Sequence, residues 1–253
     1  MDKGSTTYIV GFAAVVCIVC SLGVAGASMG LRPLQEANEL AAFQTSILNA
    51  VDLPAKDEAG NRPSLDKKET QALFDKRLKL ILVDDKGEEV HADLEDPEAK
   101  KAKLAELRAA ATKKGEDATV HPVYLRVAES GDTVEAYAIE LQGNGLWGPL
   151  SGYIALEPDG KTVMSVAFDA PKETPGLGAE ITKAPFKQQW VGKSIVEGGK
   201  LAPIDVSKSC GGDAAHCVDG VSGATITSRG VDAMVERAIN VEYANYLKKI
   251  QEG

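Results

Sequence analysis

The chain opens with a long apolar stretch. Residues 8–29 read YIVGFAAVVCIVCSLGVAGASM and contain no charged side chain. This run is long enough to cross the hydrocarbon core of a bilayer, roughly 30 Å thick, as one helix. A cleavable signal peptide is the competing interpretation, because Ala25-Gly26-Ala27 resembles a cleavage site. The run is longer than the apolar core of most signal peptides, so we expect an uncleaved, single-pass anchor over residues 1–30.

Helical spacing continues beyond the apolar run. From residue 33 to residue 49 apolar positions recur at helical intervals, which predicts an amphipathic helix leaving the membrane. Residues 57–64 are rich in turn formers and predict a loop. We therefore assign residues 31–60 to a juxtamembrane helix and linker, and residues 61–253 to a soluble domain.

Two patterns alternate within residues 61–253. Ser64-Leu65-Asp66 predicts the start of a short helix, and residues 96–114 predict a charged, solvated one. Alternating apolar positions bounded by Gly, Asn, Asp and Pro turns predict strands. The strand-like runs are residues 78–83, 124–127, 134–141, 151–156 and 162–168. Helices are then predicted over residues 185–191 and 227–250. The pattern predicts an α+β domain, an antiparallel sheet with flanking helices.

The last predicted helix, residues 227–250, has an apolar stripe that we expect to be buried against the sheet. The spacing predicts one continuous helix over this range. Its stripe consists of Val231, Met234, Val235, Ala238, Ile239, Val241, Tyr243 and Leu247.

Charge and cysteine usage narrow the function classes. The 253 residues carry a net charge of -9, which disfavours nucleic-acid binding because phosphate contact needs clustered Lys and Arg. Cys17 and Cys20 lie in the apolar run, where small packing residues are the ordinary interpretation and a metal site would need ligands from a partner. We assign no metal. Cys210 and Cys217 suit a short-loop disulfide if the domain lies outside the cytoplasm, and free thiols otherwise.

Small and hydroxyl residues cluster directly before the last helix, in the segment D-G-V-S-G-A-T-I-T-S at residues 219–228. Gly220, Gly223 and Ala224 allow close approach of a ligand to the backbone, and N–H groups at a helix start attract phosphate. Arg229 adds positive charge. The segment therefore predicts a phosphate-bearing ligand, with an ordinary Ser/Thr-rich helix cap as the alternative.

The same segment is close to the G-x-S-x-G nucleophile elbow of serine hydrolases, with Ala224 in the last position. Ser222 would be the nucleophile, and His91, His121 and His216 are the available bases. His216 is near in sequence, and residues 210–218 predict a loop rather than the strand that the elbow follows. A serine hydrolase is therefore a minor alternative.

Three blocks in order resemble the FMN-binding domain family. D-G-V-S-G-A-T at residues 219–225 resembles its flavinylation motif, E-T-P-G-L-G at 173–178 its second block, and G-N-G-L-W-G at 143–148 its glycine-rich turn. In this family a flavin transferase splits FAD and joins FMN by a phosphoester to the threonine of S-G-A-T. The resemblance implies FMN bound covalently to Thr225.

The resemblance also implies a flavin site around the tether. Leu146, Trp147, Pro175 and Leu177 would surround the ring, although core packing is the alternative for Trp147 and Leu177. Glu173 would lie near the ribityl chain or cap a turn. Polar or backbone contacts, and neighbours of the tether, are expected from Thr174, Gly176, Gly178, Asp219, Ser222, Gly223, Ala224 and Thr227.

Within the family, the chain resembles C subunits of sodium-translocating NADH:quinone reductases more than G subunits of Rnf-type complexes, partly because of its charged insert at residues 57–116. This implies an electron-relay subunit in the bacterial inner membrane, with the soluble domain in the periplasm and partner subunits of the B, D, E and F types. No G-x-G-x-x-G segment is present, so NADH oxidation would occur elsewhere. A cofactor-free, membrane-tethered scaffold is the remaining alternative.

Overall fold

The computed structural model describes residues 6–55, 62–90, 99, 102–103, 106, 120–131, 133–210 and 215–252. It divides into two compact units, Met1–Phe43 and Gln44–Gly253. His91 and most of the predicted helix over residues 96–114 lie outside the described residues, as does much of the predicted loop over residues 57–64.

Helix α1 begins at Thr6 and ends at Ala50. The part of the helix up to Phe43 lies in the first unit, and its last turns belong to the second unit. From Tyr8 this helix is long and apolar enough to cross a membrane, by length and composition. Its large apolar side chains from Tyr8 to Leu34 are exposed, as are Cys17 and Cys20, whereas Ile47 and Leu48 in its last turn are buried. Pro33 lies inside the helix without ending it.

The second unit is built on a five-stranded antiparallel sheet whose spatial order follows the sequence. The fold class predicted from the strand pattern is confirmed. Asp66 caps helix α2 through a reciprocal capping box with Glu69, as the Ser64-Leu65-Asp66 signal predicted. Helix α2 spans Lys67–Arg77, and the strands are β1 Leu78–Asp84, β2 Val120–Val127, β3 Val134–Asn144, β4 Pro149–Leu156 and β5 Val163–Asp169.

Short elements follow the sheet. A 3-10 turn, Gly178–Thr182, leads into helix α3, Ala184–Gln188. Strands β6, Val196–Glu197, and β7, Lys200–Leu201, form a hairpin. Strand β8, Asp205–Ser207, pairs in parallel with β9, Cys217–Asp219. The predicted loop over residues 210–218 therefore ends in a strand, which was missed because three residues are too few to show alternation.

The C-terminal segment is not one helix, contrary to the prediction. Helix α4 spans Thr225–Arg237, a π-helical turn spans Ala238–Glu242, and helix α5 spans Ala244–Glu252. The wider π turn shifts the helical register, so Val241 is 68% exposed although the stripe placed it inside. The other seven stripe residues are buried.

Helix α4 packs against the sheet at the end of β3. A Cβ on Gly230 of α4 would overlap the carbonyl oxygen of Asn144, so only glycine allows this close approach. The main core lies between α4 and the sheet, and contains Ile139, Leu141 and Met234. This packing brings the start of α4 beside the turn that follows β3.

Candidate functional site

The turn that precedes α4 places Thr225 at the surface. Gly220 N–H donates to Ser207 O of β8 at 2.6 Å, and Ala224 N–H donates to Val221 O at 3.0 Å. The second bond closes a β-turn over residues 221–224 in which Gly223 has a φ of +77°, a left-handed conformation that favours glycine. Thr225 is then the first residue of α4, and it is exposed.

The hydroxyl residues of the motif do not cap α4. The N-cap residue is Ala224, and no side chain accepts a hydrogen bond as the cap. Ser228 Oγ instead accepts from the N–H of Val221 at 3.0 Å, and the Thr227 hydroxyl is directed to another element. The interpretation of the motif as a Ser/Thr helix cap is therefore wrong. The helix begins with N–H groups that lack a capping side chain, which suits an anionic ligand.

A surface pocket of about 530 Å³ opens at this helix start. It lies between the end of β8 and the first turns of α4. Thr225, Ser222 and Gly223 line it, whereas Asp219, Ala224 and Thr227 are not among its lining residues. The rest of the lining is Val206, Ser207, Lys208, Gly220, Val221, Ser228, Arg229 and Asp232.

Glu173 connects the three sequence blocks. Its side chain is buried, and Oε2 accepts a hydrogen bond from Thr227 Oγ1 at 2.6 Å. Its Oε1 accepts from the backbone N–H of Trp147 at 2.8 Å. A Cβ on Gly178 would overlap the same carboxylate, and one on Gly145 would lie 2.5 Å from Oε1. The carboxylate is thus surrounded by protein groups and fixes the blocks relative to each other.

Large apolar side chains surround this connection on the surface. Trp147 is 64% exposed, Leu146 50%, Ile226 54% and Leu177 43%. Leu177 lies against Gly223, because a Cβ there would be 3.0 Å from Leu177 Cδ2. Core packing therefore does not explain Trp147 or Leu177. We call Leu146, Trp147, Leu177 and Ile226 the apolar rim.

The remaining residues of the E-T-P-G-L-G segment form an exposed turn. The carbonyl of Thr174 accepts from the N–H groups of Leu177 and Ala179 at 3.1 and 3.2 Å. The N–H of Gly176 donates to Glu180 Oε1 at 3.0 Å, so it is already engaged within the protein. Thr174 and Pro175 are exposed, while Gly178 is buried against Glu173.

Asp219, at the end of β9, makes two hydrogen bonds just before the turn. Its Oδ1 accepts from the N–H of Cys210 at 2.9 Å, and its own N–H donates to Gln189 Oε1 at 2.8 Å. Cys210 and Cys217 form a disulfide, which settles the alternative that the sequence left open. Asp219 thus links the disulfide-closed segment to the strand that leads into the motif.

The arrangement does not support a serine hydrolase. A strand, β9, does precede the turn, so that objection from the sequence was wrong. However, none of the residues lining the pocket beside Ser222 is a histidine. His216 Nδ1 lies 2.9 Å from Ser194 O, and His121 is buried beside Tyr243. His91 lies outside the described residues. Among the described histidines, neither offers a base to Ser222.

Sequence reasoning missed several residues of the site. Lys208, Ser207 and Asp232 line the pocket, and Ile226 belongs to the apolar rim. Lys208 directly follows β8, a strand too short to recognise, 17 residues before Thr225 in the sequence. Asp232 lies two turns into α4, where a charged residue is ordinary. The pairing of β8 with β9 and the hydrogen bond from Val206 N–H to Asp232 Oδ1 bring Lys208 to the motif.

Comparisons with known proteins identify the family that this chain resembles. The family model described as FMN-binding domain matches residues 145–240. The C subunit of the Na(+)-translocating NADH-quinone reductase of Neisseria meningitidis serogroup A is 34% identical over 262 residues, which cover 100% of this chain and 96% of that protein. The corresponding Pseudomonas aeruginosa protein is 36% identical over 250 residues, covering 92% and 91%.

Solved structures match the described fold. The crystal structure of the C subunit of the Na(+)-translocating NADH-quinone reductase from Parabacteroides distasonis has a TM-score of 0.67 and 31% identity, covering 86% of this chain and 96% of that one. Shewanella oneidensis NqrC has a TM-score of 0.67 and 26% identity, covering 87% and 100%.

Proposed function

Since the chain belongs to the family of C subunits of the Na(+)-translocating NADH-quinone reductase, a membrane oxidoreductase complex, we propose that it carries FMN covalently on Thr225 and relays electrons there. Electrons would pass from NADH toward quinone, coupled to sodium export. The observation that carries the proposal is the exposed Thr225 hydroxyl at an uncapped helix start that opens into a pocket.

The residues present fit a flavin phosphate. A helix start without a capping side chain leaves N–H groups that favour an anion, and a phosphoester on Thr225 would lie directly beside them. Ser222 and Ser228 add hydroxyl groups to the same pocket. The positive end of the helix dipole favours a negatively charged group at this position over an uncharged one.

The apolar rim fits the ring of the same cofactor. Leu146, Trp147, Leu177 and Ile226 expose apolar surface that water solvates poorly, and an isoalloxazine ring would cover part of it. Bound FMN supplies one-electron transfer chemistry. The chain's own residues hold the cofactor, exclude water from one side of it and keep it from dissociating.

Attachment is a phosphoryl transfer. The Thr225 hydroxyl oxygen would form a bond to the flavin-side phosphorus of FAD while the bond from that phosphorus to the AMP oxygen breaks. AMP leaves, and the hydroxyl proton passes to a base of the flavin transferase. No electron moves in this step, so it needs no oxidant. Because Thr225 is exposed, an external enzyme can reach it.

Localisation and partners follow from membership in the complex. We expect α1 to anchor the chain in the bacterial inner membrane and the body to face the periplasm, where a disulfide such as Cys210–Cys217 persists. Partner subunits of the B, D, E and F types would supply the other redox centres. Protease added to spheroplasts should then digest the body while leaving cytoplasmic proteins intact.

Denaturing gel electrophoresis under ultraviolet light tests the attachment, after co-expression with the flavin transferase. The wild-type chain should give a fluorescent band, and Thr225→Ala should give none. Thr133→Ala is the matched control, because it removes the same kind of exposed threonine hydroxyl outside the pocket and should leave the band unchanged. A band that persists in Thr225→Ala would place the flavin elsewhere and overturn the proposal.

The same co-expressed protein also tests the three alternative functions. A G subunit of an Rnf-type complex would also be fluorescent, and full-length similarity to C subunits favours the present assignment. A hydrolase would be labelled at Ser222 by a serine-directed phosphonate. A scaffold would be colourless even with the transferase present.

A further inference from the structure

We infer that Lys208 and Arg229 form a phosphodiester site of the chain itself, holding the charged link between Thr225 and FMN. This inference rests on the proposed function, because it takes Thr225 as the attachment point. Both residues line the pocket that Thr225 lines: Lys208 directly follows β8, and Arg229 begins the second turn of α4. β8 pairs with β9, which leads through the turn at residues 221–224 into α4, and β8 also contacts α4 directly through the hydrogen bond from Val206 N–H to Asp232 Oδ1.

The two cations have no partner within the described part of the chain. Lys208 and Arg229 are exposed, and neither makes a hydrogen bond or an ion pair with a described residue. The other arginines described in the Gln44–Gly253 unit all lie in salt bridges. These are Arg62 with Asp52, Arg77 and Arg126 with Glu135, and Arg237 with Glu242. Arg229 is thus the exception, in a chain whose net charge of -9 offers many carboxylates.

The charge of the pocket matches a phosphodiester. Asp232 is the one acidic residue in the lining, and its Oδ1 accepts from the N–H of Val206 at 2.7 Å. Two cations against one carboxylate leave one net positive charge, beside N–H groups that have no capping side chain. A phosphodiester carries one negative charge at neutral pH and accepts hydrogen bonds on two oxygens. Lys and Arg are the side chains that bind such groups best.

The test measures attachment and the attached phosphate separately. Lys208→Gln, Arg229→Gln and the double variant are compared with Lys248→Gln, which removes the same charge from exposed α5 outside the pocket. Purified chain, FAD and flavin transferase give the initial rate of covalent fluorescence at low and high NaCl. The ³¹P NMR resonance of the flavinylated single variants then reports on the environment of the phosphodiester.

We expect the double variant to be flavinylated at least about tenfold more slowly than the Lys248→Gln control, with a weaker salt dependence. Lys208→Arg and Arg229→Lys, which keep the charge, should recover most of the rate. The ³¹P resonance should move in each neutralised variant and stay in place in the control. Circular dichroism checks that the variants are folded.

Two results would overturn the inference. The first is a double variant whose rate is within about twofold of the control, since loss of two phosphate contacts must exceed that. The second is a slow rate with an unmoved ³¹P resonance, which would mean that the cations dock the transferase rather than hold the phosphate. Failure of the proposed function looks different, because the wild-type chain itself would then show no band.

Discussion

The Glu173 carboxylate accepts a 2.6 Å hydrogen bond from the hydroxyl of Thr227, although 54 residues separate them in the sequence. Both side chains are buried. The bond joins the E-T-P-G-L-G segment to the first turn of α4, two residues beyond Thr225. A second bond from the same carboxylate, to the N–H of Trp147, joins the turn after β3.

Removing the Thr227 hydroxyl should cost stability without removing the flavin. Thr227→Val keeps the shape but leaves a buried carboxylate oxygen without its donor, which should lower the free energy of unfolding by about 1–3 kcal/mol. Thr225→Val, at an exposed position, should change it by less than about 0.5 kcal/mol and abolish the fluorescent band. Urea denaturation of both variants measures their stability, and gel fluorescence shows which of them still carries the flavin. Equal stability of the two variants would contradict it.

Gly178 should tolerate no side chain. A Cβ there would overlap Glu173 Oε2 and lie 2.7 Å from Thr227 Oγ1, so Gly178→Ala must break the bond between them. We expect a loss of about 3 kcal/mol or more from overpacking and the lost hydrogen bond. Gly176→Ala, in the same segment with φ +77° and open space around it, should cost only about 1 kcal/mol of backbone strain. Thermal or urea unfolding of the pair measures the difference.

The two tryptophans should respond differently to flavin attachment. Trp147 is 64% exposed on the apolar rim, whereas Trp190 is fully buried at 0%. In the flavin-free chain, acrylamide should quench the Trp147 emission and spare Trp190. Attachment of FMN should shield or quench Trp147, and Trp147→Phe should remove this change. Trp147 emission that is equally accessible with and without flavin would show that the ring lies elsewhere.

Reduction of the disulfide should loosen the segment that leads into the motif. Cys210 and Cys217 are 7 residues apart, and closing a loop of that size stabilises the folded state by about 2.5 kcal/mol on the chain-entropy argument. The urea midpoint should therefore fall when a reductant is added. The double variant Cys210→Ser/Cys217→Ser should already have the lower midpoint and should not respond to the reductant.

Asp159 should make a pH-dependent contribution to stability in the turn between β4 and β5. Burial raises the pKa of Asp159, but hydrogen bonds from Thr162 and Lys161, with the Lys161 charge, outweigh it and hold the pKa below the ordinary 3.8. A lowered folded-state pKa means that the contribution is present above pH 3.8 and lost as the pH falls through the folded-state pKa. Asp159→Asn should be less stable than wild type at neutral pH, and the gap should narrow below pH 3.8. Melting temperatures at a series of pH values measure it, and a constant gap would contradict the assignment.

The sequence by itself determined the elements that depend on near neighbours. The apolar run of α1, the Asp66 cap of α2 and the five strands of the sheet were all predictable. Their signals are hydrophobic periodicity and turn residues, which act over a few positions. The order of the three blocks, and Thr225 as the attachment point to test, also came from the sequence.

Only the tertiary structure decided which residues meet. The tie between Glu173, Thr227 and Trp147, and the presence of Lys208 in the pocket, depend on the packing of α4 on β3 and of β8 on β9. No local pattern encodes a contact across 54 residues. The π turn after α4 likewise overrode a continuous helical stripe, since its wider turn left Val241 outside the core. Propensity and periodicity set the elements, whereas the close packing of the core sets their contacts.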